Sequence, residues 1–507
     1  MGEGFDAIVI GSGIGGISAA AVLARKGIRP LVLEQHFAPG GNAQTFRRHK
    51  QFDFDVGLHY IGDCGSGGLF DNLLGQMGIA GQLEFLPMDQ DGFDTLRFPD
   101  MEFRVPAGWE RYHQRLRETF PDEARAVDRY IEHLRAVATT SAEETAVDRV
   151  LRKRRDQTTL GEVFDALEIG HRLRNVLSAE SGLYAAPPSR AALGMHAGVM
   201  DHYMHGAYFV KGGSRALVDA ILGAIEAGGG ELRLRSRVRR IIIEKGKAVG
   251  VELATGEEIR APLVVSNADA KRTLLQMVGE EHLSPQLRDH VKEYRMALPL
   301  FIVYMAMEVD PSELGIPNTN FFLMPGYDIE EEYAACYDGK VPEKPWVYIS
   351  TASVKDPESR NLAPEGYTNL QLMTLAPAQL ASWGASMGPA DGGRYRHTPD
   401  YVAAREEMER RVIDVTNEMM PGFLRKIVWQ ECATPLTQER FTRSTGGTSY
   451  GLEHTPDQSG AARVAPRSEI PNLWMVGASG VFGHGIAGAM VSGCATAAMI
   501  VSTRPAT

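Results

Sequence analysis

Two periodicities succeed one another along the chain. Asp6 to Ile10 is a short apolar run of the kind a buried parallel strand shows, and from Ile14 to Lys26 apolar and small residues recur at helical spacing until Gly27. A second apolar run, Arg29 to Leu33, follows, so the pattern predicts strand, helix, strand. "QTFRRHKQFDFDVG" alternates like a hairpin turning near Lys50 and Gln51. Residues 110 to 180 read as helical, with "WERYHQRLRETFPDEARAVDRYIEHLRAVA" amphipathic and interrupted at Pro121, and these helices would form a cap. From residue 298 the pattern becomes short aromatic and aliphatic runs, "LPLFIVYMAM", "NFFLM", "WVYIST" and "YTNLQLMTLA", which predict the strands of a second sheet; Pro377 to Pro399 reads as loop.

One apolar stretch, residues 473 to 501, carries no formal charge apart from His484 and has the length of a membrane span. Its glycines would weaken a lone helix. A buried strand from Leu473 to Val476, a Gly-rich turn and a buried helix account for the pattern better.

Composition narrows the function. The 507 residues are 44% hydrophobic, enough for a sizeable core and two to four domains by length. Lys and Arg total 53 against 64 Asp and Glu, a net charge of -11, so nucleic acid is not an expected partner. Cys64, Cys336, Cys432 and Cys494 lie far apart, which points to neither a disulfide framework nor a structural metal and fits a cytoplasmic protein. Glu3 and Asp6 stand where a secretory leader would be basic, so the N-terminus reads as mature structure. Basic residues cluster at Arg149, Arg152, Lys153, Arg154 and Arg155, either a solvated face or a patch for anionic lipid. His196, Asp201, His202 and His205 are close in sequence, but nothing fixes them on one face, and no metal is expected.

The first helix begins in glycine. Gly11 permits the tight turn after the strand, Gly13 lets backbone approach a pyrophosphate, and Gly16 lets helix pack on strand, while Glu34 closes the second strand 18 residues after Gly16. A carboxylate there accepts from a ribose diol and repels a 2′-phosphate, so FAD or NAD is favoured over NADP. Gly40 and Gly41 form a doublet able to bring further N–H groups to a ligand.

The next residues, "LEQHFAPGGNAQTF" and "FDFDVGLHYIG", resemble the phytoene desaturase, carotenoid isomerase and retinol saturase family of FAD-dependent oxidoreductases, most closely its retinol saturase branch. Three further stretches are similar to that family in order along the chain: residues 208 to 269, with a Gly-Gly helix, Val238 and "VVSNA"; residues 435 to 456, "PLTQERFTRSTGGTSYGLEHTP"; and residues 470 to 493, "IPNLWMVGASGVFGHGIAGAMVSG". The resemblance implies an α/β fold: a Rossmann-type FAD-binding domain, glutathione-reductase-like and amine-oxidase-like, assembled from residues 1–68, 206–285 and 462–507. A mixed-sheet and helical substrate domain, 69–205 and 286–461, is interleaved with it. FAD would be held noncovalently by Gly11, Gly13, Gly15, Gly16, Glu34, Gln35, Gly40, Gly41, Asn42, Val238, Gly477, Ile486 and Ala487, with the last helix pointing its N-terminus at the flavin pyrimidine.

The implied chemistry is hydride exchange between flavin N5 and a carbon–carbon bond of a long apolar polyene, carotenoid, retinoid or unsaturated fatty-acyl lipid, by desaturation, saturation or isomerisation. Apolar burial at about 0.8 kcal/mol per CH2 would supply most of the binding, and such a substrate allows peripheral membrane contact. His59, Tyr60 and His484 are the candidates for groups beside the flavin ring, and Arg443, Thr445 and Tyr450 for the pocket lining. Two alternatives stay open. A flavin amine oxidase of the same fold would need an aromatic cage and a lysine beside the flavin, and a noncatalytic prenyl-lipid carrier resembling the Rab escort proteins would bind no flavin. The direction of reaction, the electron partner and the oligomeric state are not fixed by these residues.

Overall fold

The computed structural model describes residues 4–138 and 157–503, so the basic cluster at 149–155 lies outside the described residues. Ala7–Ile10 is the central strand of a five-stranded parallel sheet ordered Glu231–Arg233, Pro30–Leu33, Ala7–Ile10, Val264–Ser266, Leu473–Met475. Ile8 is paired with Leu31 on one side and Val264 on the other. All four residues of the first strand are buried, as a parallel strand covered on both faces requires. The helix Ile14–Arg25 that follows is buried along eleven of its residues, Ile14 to Ala24. It is sandwiched between the sheet and the C-terminal helix Gly485–Ser502.

That crossing explains the small residues on both helices. A Cβ on Gly493 would stand 2.2 Å from the Gly15 carbonyl oxygen, and one on Gly15 would stand 2.9 Å from the Ala489 carbonyl oxygen. The backbones touch. The C-terminal helix is long and apolar enough to cross a membrane by length and composition, yet Met490, Cys494, Ala497 and Ile500 pack into the same core as Ile17, Ala20 and Ala21. The helix Leu69–Met77, just past the boundary expected at residue 68, packs Phe70, Leu73, Leu74 and Met77 into that core as well.

The second body is built on a seven-stranded sheet ordered Ile427–Ala433, Leu300–Met307, Thr368–Leu375, Val347–Ser350, Asn320–Leu323, Asp94–Arg97, Glu102–Val105. The four aromatic and aliphatic runs expected as strands are its centre. Strand alternation sorts its two faces. Phe301, Val303 and Met305 pack with Met408, Val412 and Val415 of the helix Pro399–Met419, whereas Ile302, Tyr304 and Ala306 face the helical cap. The cap is made of Trp109–Thr119, Ala124–Ala138, Leu160–Ala166, His171–Ser178 and Leu193–Met204, and the chain breaks helix at Pro121 as expected.

The hairpin Thr45–Arg48 with Phe52–Asp55 links the two bodies. Its left-handed residues are His49 (φ 48) and Lys50 (φ 59), and Gln51 N–H closes on the Arg48 carbonyl at 3.1 Å. Arg48 pairs with Phe52, so the loop is the three residues His49 to Gln51, which include the Lys50 and Gln51 where the alternation suggested the turn.

Candidate active site

One cavity runs from the carboxyl ends of the parallel strands to the cap face of the seven-stranded sheet. At its first end the glycines make a floor that no side chain could share. Gly11 has φ 89; a Cβ on Gly13 would lie 2.5 Å from Asn267 Nδ2, and one on Gly16 would lie 2.3 Å from the Gly11 carbonyl oxygen. Gly41 is pressed on this loop, its Cβ position 2.9 Å from Gly13 Cα. Gly40 N–H donates to Ser12 Oγ at 3.1 Å, so it braces the loop and is not free for a ligand. Glu34 is 7% exposed and held by three donors, Ser12 N–H at 2.9 Å, Ser12 Oγ at 2.6 Å and His36 N–H at 2.7 Å, which leaves its remaining lone pair facing the cavity.

Gln35 and Asn42 tie this floor to the late loop. Gln35 Nε2 donates to the Phe441 carbonyl at 3.1 Å, and Asn42 Nδ2 to the Ser449 carbonyl at 3.2 Å. Val238 joins the wall at the start of its strand, and Gly477 (φ 100) and Ile486 join it from the C-terminal segment. Gly16, Gly40 and Ala487 stand behind the wall. Asn267 was missed by the sequence reasoning although "VVSNA" had been singled out. Its side chain fits among Gly13, Gly15, Gly16 and Gly477, each of which would collide with it if it carried a Cβ.

The other end is a different environment. Leu300, Ile302, Phe322, Trp346, Tyr348 and Met373 line it from the sheet, with Gly182 and Leu183 from the cap and Tyr450 from the late loop. Register explains the surface: Ile302 pairs with Met373, Met373 with Tyr348 and Tyr348 with Phe322, one apolar row across four strands. None of these wall residues is charged.

One row deeper the sheet is polar. Tyr304 pairs with Gln371, Gln371 with Ser350, and Asn320 with Asp94. Lys355, 2% exposed, directs its ammonium group into this row, donating to Ser350 Oγ at 2.7 Å, Asn320 Oδ1 at 2.5 Å and the His59 carbonyl at 2.8 Å. Asn320 Nδ2 donates to Asp94 at 2.7 Å. Burial pushes the Lys355 pKa down to about 7, opposed by the charges of Asp94 and Asp55. Burial raises Asp94, and Glu180 beside it is raised well above the usual carboxylate range, so this pair holds a proton between them.

The expected residues beside the ring are separated by this arrangement. His59 lines the cavity, and burial, then the Lys355 charge, lowers its pKa to about 3, so its imidazole is neutral. Tyr60 is turned the other way. Its hydroxyl donates to Asp94 at 2.7 Å and its ring stacks on Tyr203 at 4.3 Å, so its place beside the ring is corrected to a place in the buried row. His484 is likewise not at the wall: its Nε2 meets the Leu183 carbonyl at 2.8 Å and its ring sits edge-on to Tyr450, which is at the wall. Arg443 and Tyr450 line the cavity as expected; Thr445 does not, because its N–H and Oγ1 bind Asp269 at 2.8 and 2.9 Å. His196 is held by the Tyr130 and Tyr184 hydroxyls and His202 accepts from Gly62 N–H, and no metal-ligand cluster is found among the described residues.

The model of the flavin-containing amine oxidoreductases matches residues 14–501. An all-trans-retinol 13,14-reductase of Macaca fascicularis is 29% identical over 527 residues, covering 96% of this chain and 84% of the relative. A chloroplastic prolycopene isomerase of an Oncidium hybrid cultivar is 26% identical over 515 residues, covering 97% and 83%. Among solved structures, an oxidoreductase from Methanosarcina mazei superposes with a TM-score of 0.68 at 16% identity, covering 98% of this chain and all of that one, which supports the two-body fold.

Proposed function

The chain belongs to the flavin-containing amine oxidoreductase family, and from that premise we propose that it binds FAD noncovalently and acts on a carbon–carbon double bond of a long apolar polyene. The observation that carries this reading is the uncharged row Ile302, Met373, Tyr348 and Phe322 at the far end of the cavity. An amine enters an active site as a cation and asks for a carboxylate beside it; the named residues of this wall include none. The relatives named for retinol and prolycopene fit the same row.

The residues present fit the cofactor. The glycine floor leaves room where a pyrophosphate would lie, Glu34 offers a lone pair to a ribose diol, and Val238 offers backbone to an adenine. Gln35, Gly41, Asn42, Gly477 and Ile486 complete the cradle. The four cysteines are absent from the lining, which supports noncovalent binding. When bound, the flavin would supply the hydride exchange that no side chain performs. The chain's own contribution is placement: the apolar wall desolvates the alkene, and neutral His59 closes one side without adding a charge.

Peripheral contact with membranes belongs to the same proposal, since such a substrate partitions into lipid. Purified protein should be yellow. Reduced anaerobically, it should be reoxidised by all-trans-retinol or a cis-lycopene, or should isomerise the latter; bleaching of the oxidised protein by a primary amine, with no response to polyenes, overturns the reading. Protein that is colourless and cannot be reconstituted with FAD supports a carrier instead.

A further inference from the structure

One member of the apolar row carries a buried polar group. Tyr348 belongs to the wall, and its hydroxyl is buried with Ser350 as its one neighbouring hydrogen-bonding side chain among the described residues. Two residues on, on the same face of the strand, Ser350 Oγ accepts from Lys355 at 2.7 Å, so the proton of Ser350 itself is free to point elsewhere, and contact with Ser350 opposes the burial that raises the Tyr348 hydroxyl well above an ordinary tyrosine. The other two Lys355 donors are spent on the His59 carbonyl and Asn320. The ammonium group therefore has one route toward the cavity, through Ser350.

We propose that Tyr348 is the proton donor of this site and that Lys355, acting through Ser350, is the positioning residue that restores its proton. The proposal rests on the double-bond reading, because saturation of an alkene consumes one proton for each hydride. For each hydride that a bound reduced flavin would supply to one alkene carbon, the Tyr348 Oη–H bond would break and a C–H bond form at the other carbon. Tyr348 Oη then takes the Ser350 proton, and Ser350 Oγ takes one from Lys355, which is left as a neutral amine. The groups facing Lys355 are Asp94 from the sheet, Asp55 from the hairpin, His59 and Tyr60 from the segment after it, and, through Asp94, Glu180 from the cap. Carboxylates hold the cation and burial opposes it, and the balance near neutral pH lets the amine load and unload. His59, neutral at the same wall, is a weaker acid than a phenol.

The full-length protein labelled with [13Cε]lysine, with neither cofactor nor substrate added, reports Lys355 directly. Its resonance, identified by its absence in Lys355→Arg, should titrate with a midpoint near 7. A midpoint above about 9, close to an ordinary lysine, overturns the relay. In reduced holoenzyme mixed with all-trans-retinol, Tyr348→Phe should lower kcat by about 100- to 10,000-fold with flavin content unchanged. Wild-type kcat should fall as pH rises through about 7, and Ser350→Ala should lose that dependence. A Tyr348→Phe variant that turns over like wild type overturns the proposal and leaves the double-bond reading standing. A wild type inert toward every polyene tried overturns both.

Discussion

Replacing Lys355 with Met removes one buried cation from an otherwise intact row. In the folded chain burial brings the Lys355 pKa from 10.5 down to about 7, while in the unfolded chain it titrates near its ordinary value. Between those two values the unfolded chain binds one more proton than the folded one, so this group makes stability rise with pH across that window. Below pH 7 both states are protonated and the whole cost of burying the cation is present. That cost is three and a half pH units at about 1.4 kcal/mol each, or about 5 kcal/mol. The Met variant has no such slope. It also leaves the His59 carbonyl, Asn320 Oδ1 and Ser350 Oγ without a donor, at about 1–3 kcal/mol each, but that loss shifts the difference curve without tilting it. The tilt is the measurement. Urea unfolding followed by ellipticity should show wild type gaining on the variant by about 3 kcal/mol between about pH 7.5 and about pH 9.5. Parallel curves for the two proteins would refute a buried lysine with a lowered pKa.

Gly493→Ala puts a methyl group 2.2 Å from the Gly15 carbonyl oxygen, so the two crossing helices must separate; a lower melting temperature and loss of bound flavin on gel filtration are expected. Glu34→Ala removes the acceptor of Ser12 and His36 and the lone pair offered to a ribose, and flavin retention on dialysis should fall by at least about tenfold, a loss of about 1.4 kcal/mol. Arg463→Met takes away a buried guanidinium that donates to the Gly480 and Ala478 carbonyls at 2.9 Å and lies 3.3 Å from His454 Nδ1. Unfolding should become easier by at least about 3 kcal/mol, and unchanged urea midpoints would contradict this. Tyr60→Phe should cost about 1.5–3 kcal/mol of stability, the worth of a hydrogen bond to a charged acceptor, while flavin content stays as in wild type.

The glycine floor was legible because its constraint is local. Gly11, Gly13 and Gly16 lie within six residues, and strand, turn and helix follow from their order. The central strands of the second sheet were legible from composition, since aromatic and branched runs bounded by turn residues have few other uses. Asn267 was half legible: the motif was visible, but its role depends on glycines from both ends of the chain meeting around it. His59 and Tyr60 show a finer limit. The pair was visible as a unit, yet it lies in an irregular segment before the strand Ile61–Gly62, and only the fold says that His59 meets the cavity while Tyr60 meets Asp94. Lys355 carried no signal, because Asp94, Asn320, Ser350 and Gln371 become one row only through strand register.

The depth of that row has a physical reason. Two residues along a strand separate it from the wall by about 7 Å. A cation in the wall would have to be stripped of water each time an apolar ligand entered, whereas one row deeper it is desolvated once, at folding. Burial, then the Asp94 charge, raises the Tyr348 hydroxyl well above an ordinary tyrosine, so the phenol is held protonated, and the surface a polyene touches stays apolar. Moving the charge forward, by Met373→Lys, should therefore weaken retinol binding far more than it changes flavin content. Equal retinol affinity in that variant, read from quenching of protein fluorescence, would mean that the apolar row is not where the polyene lies.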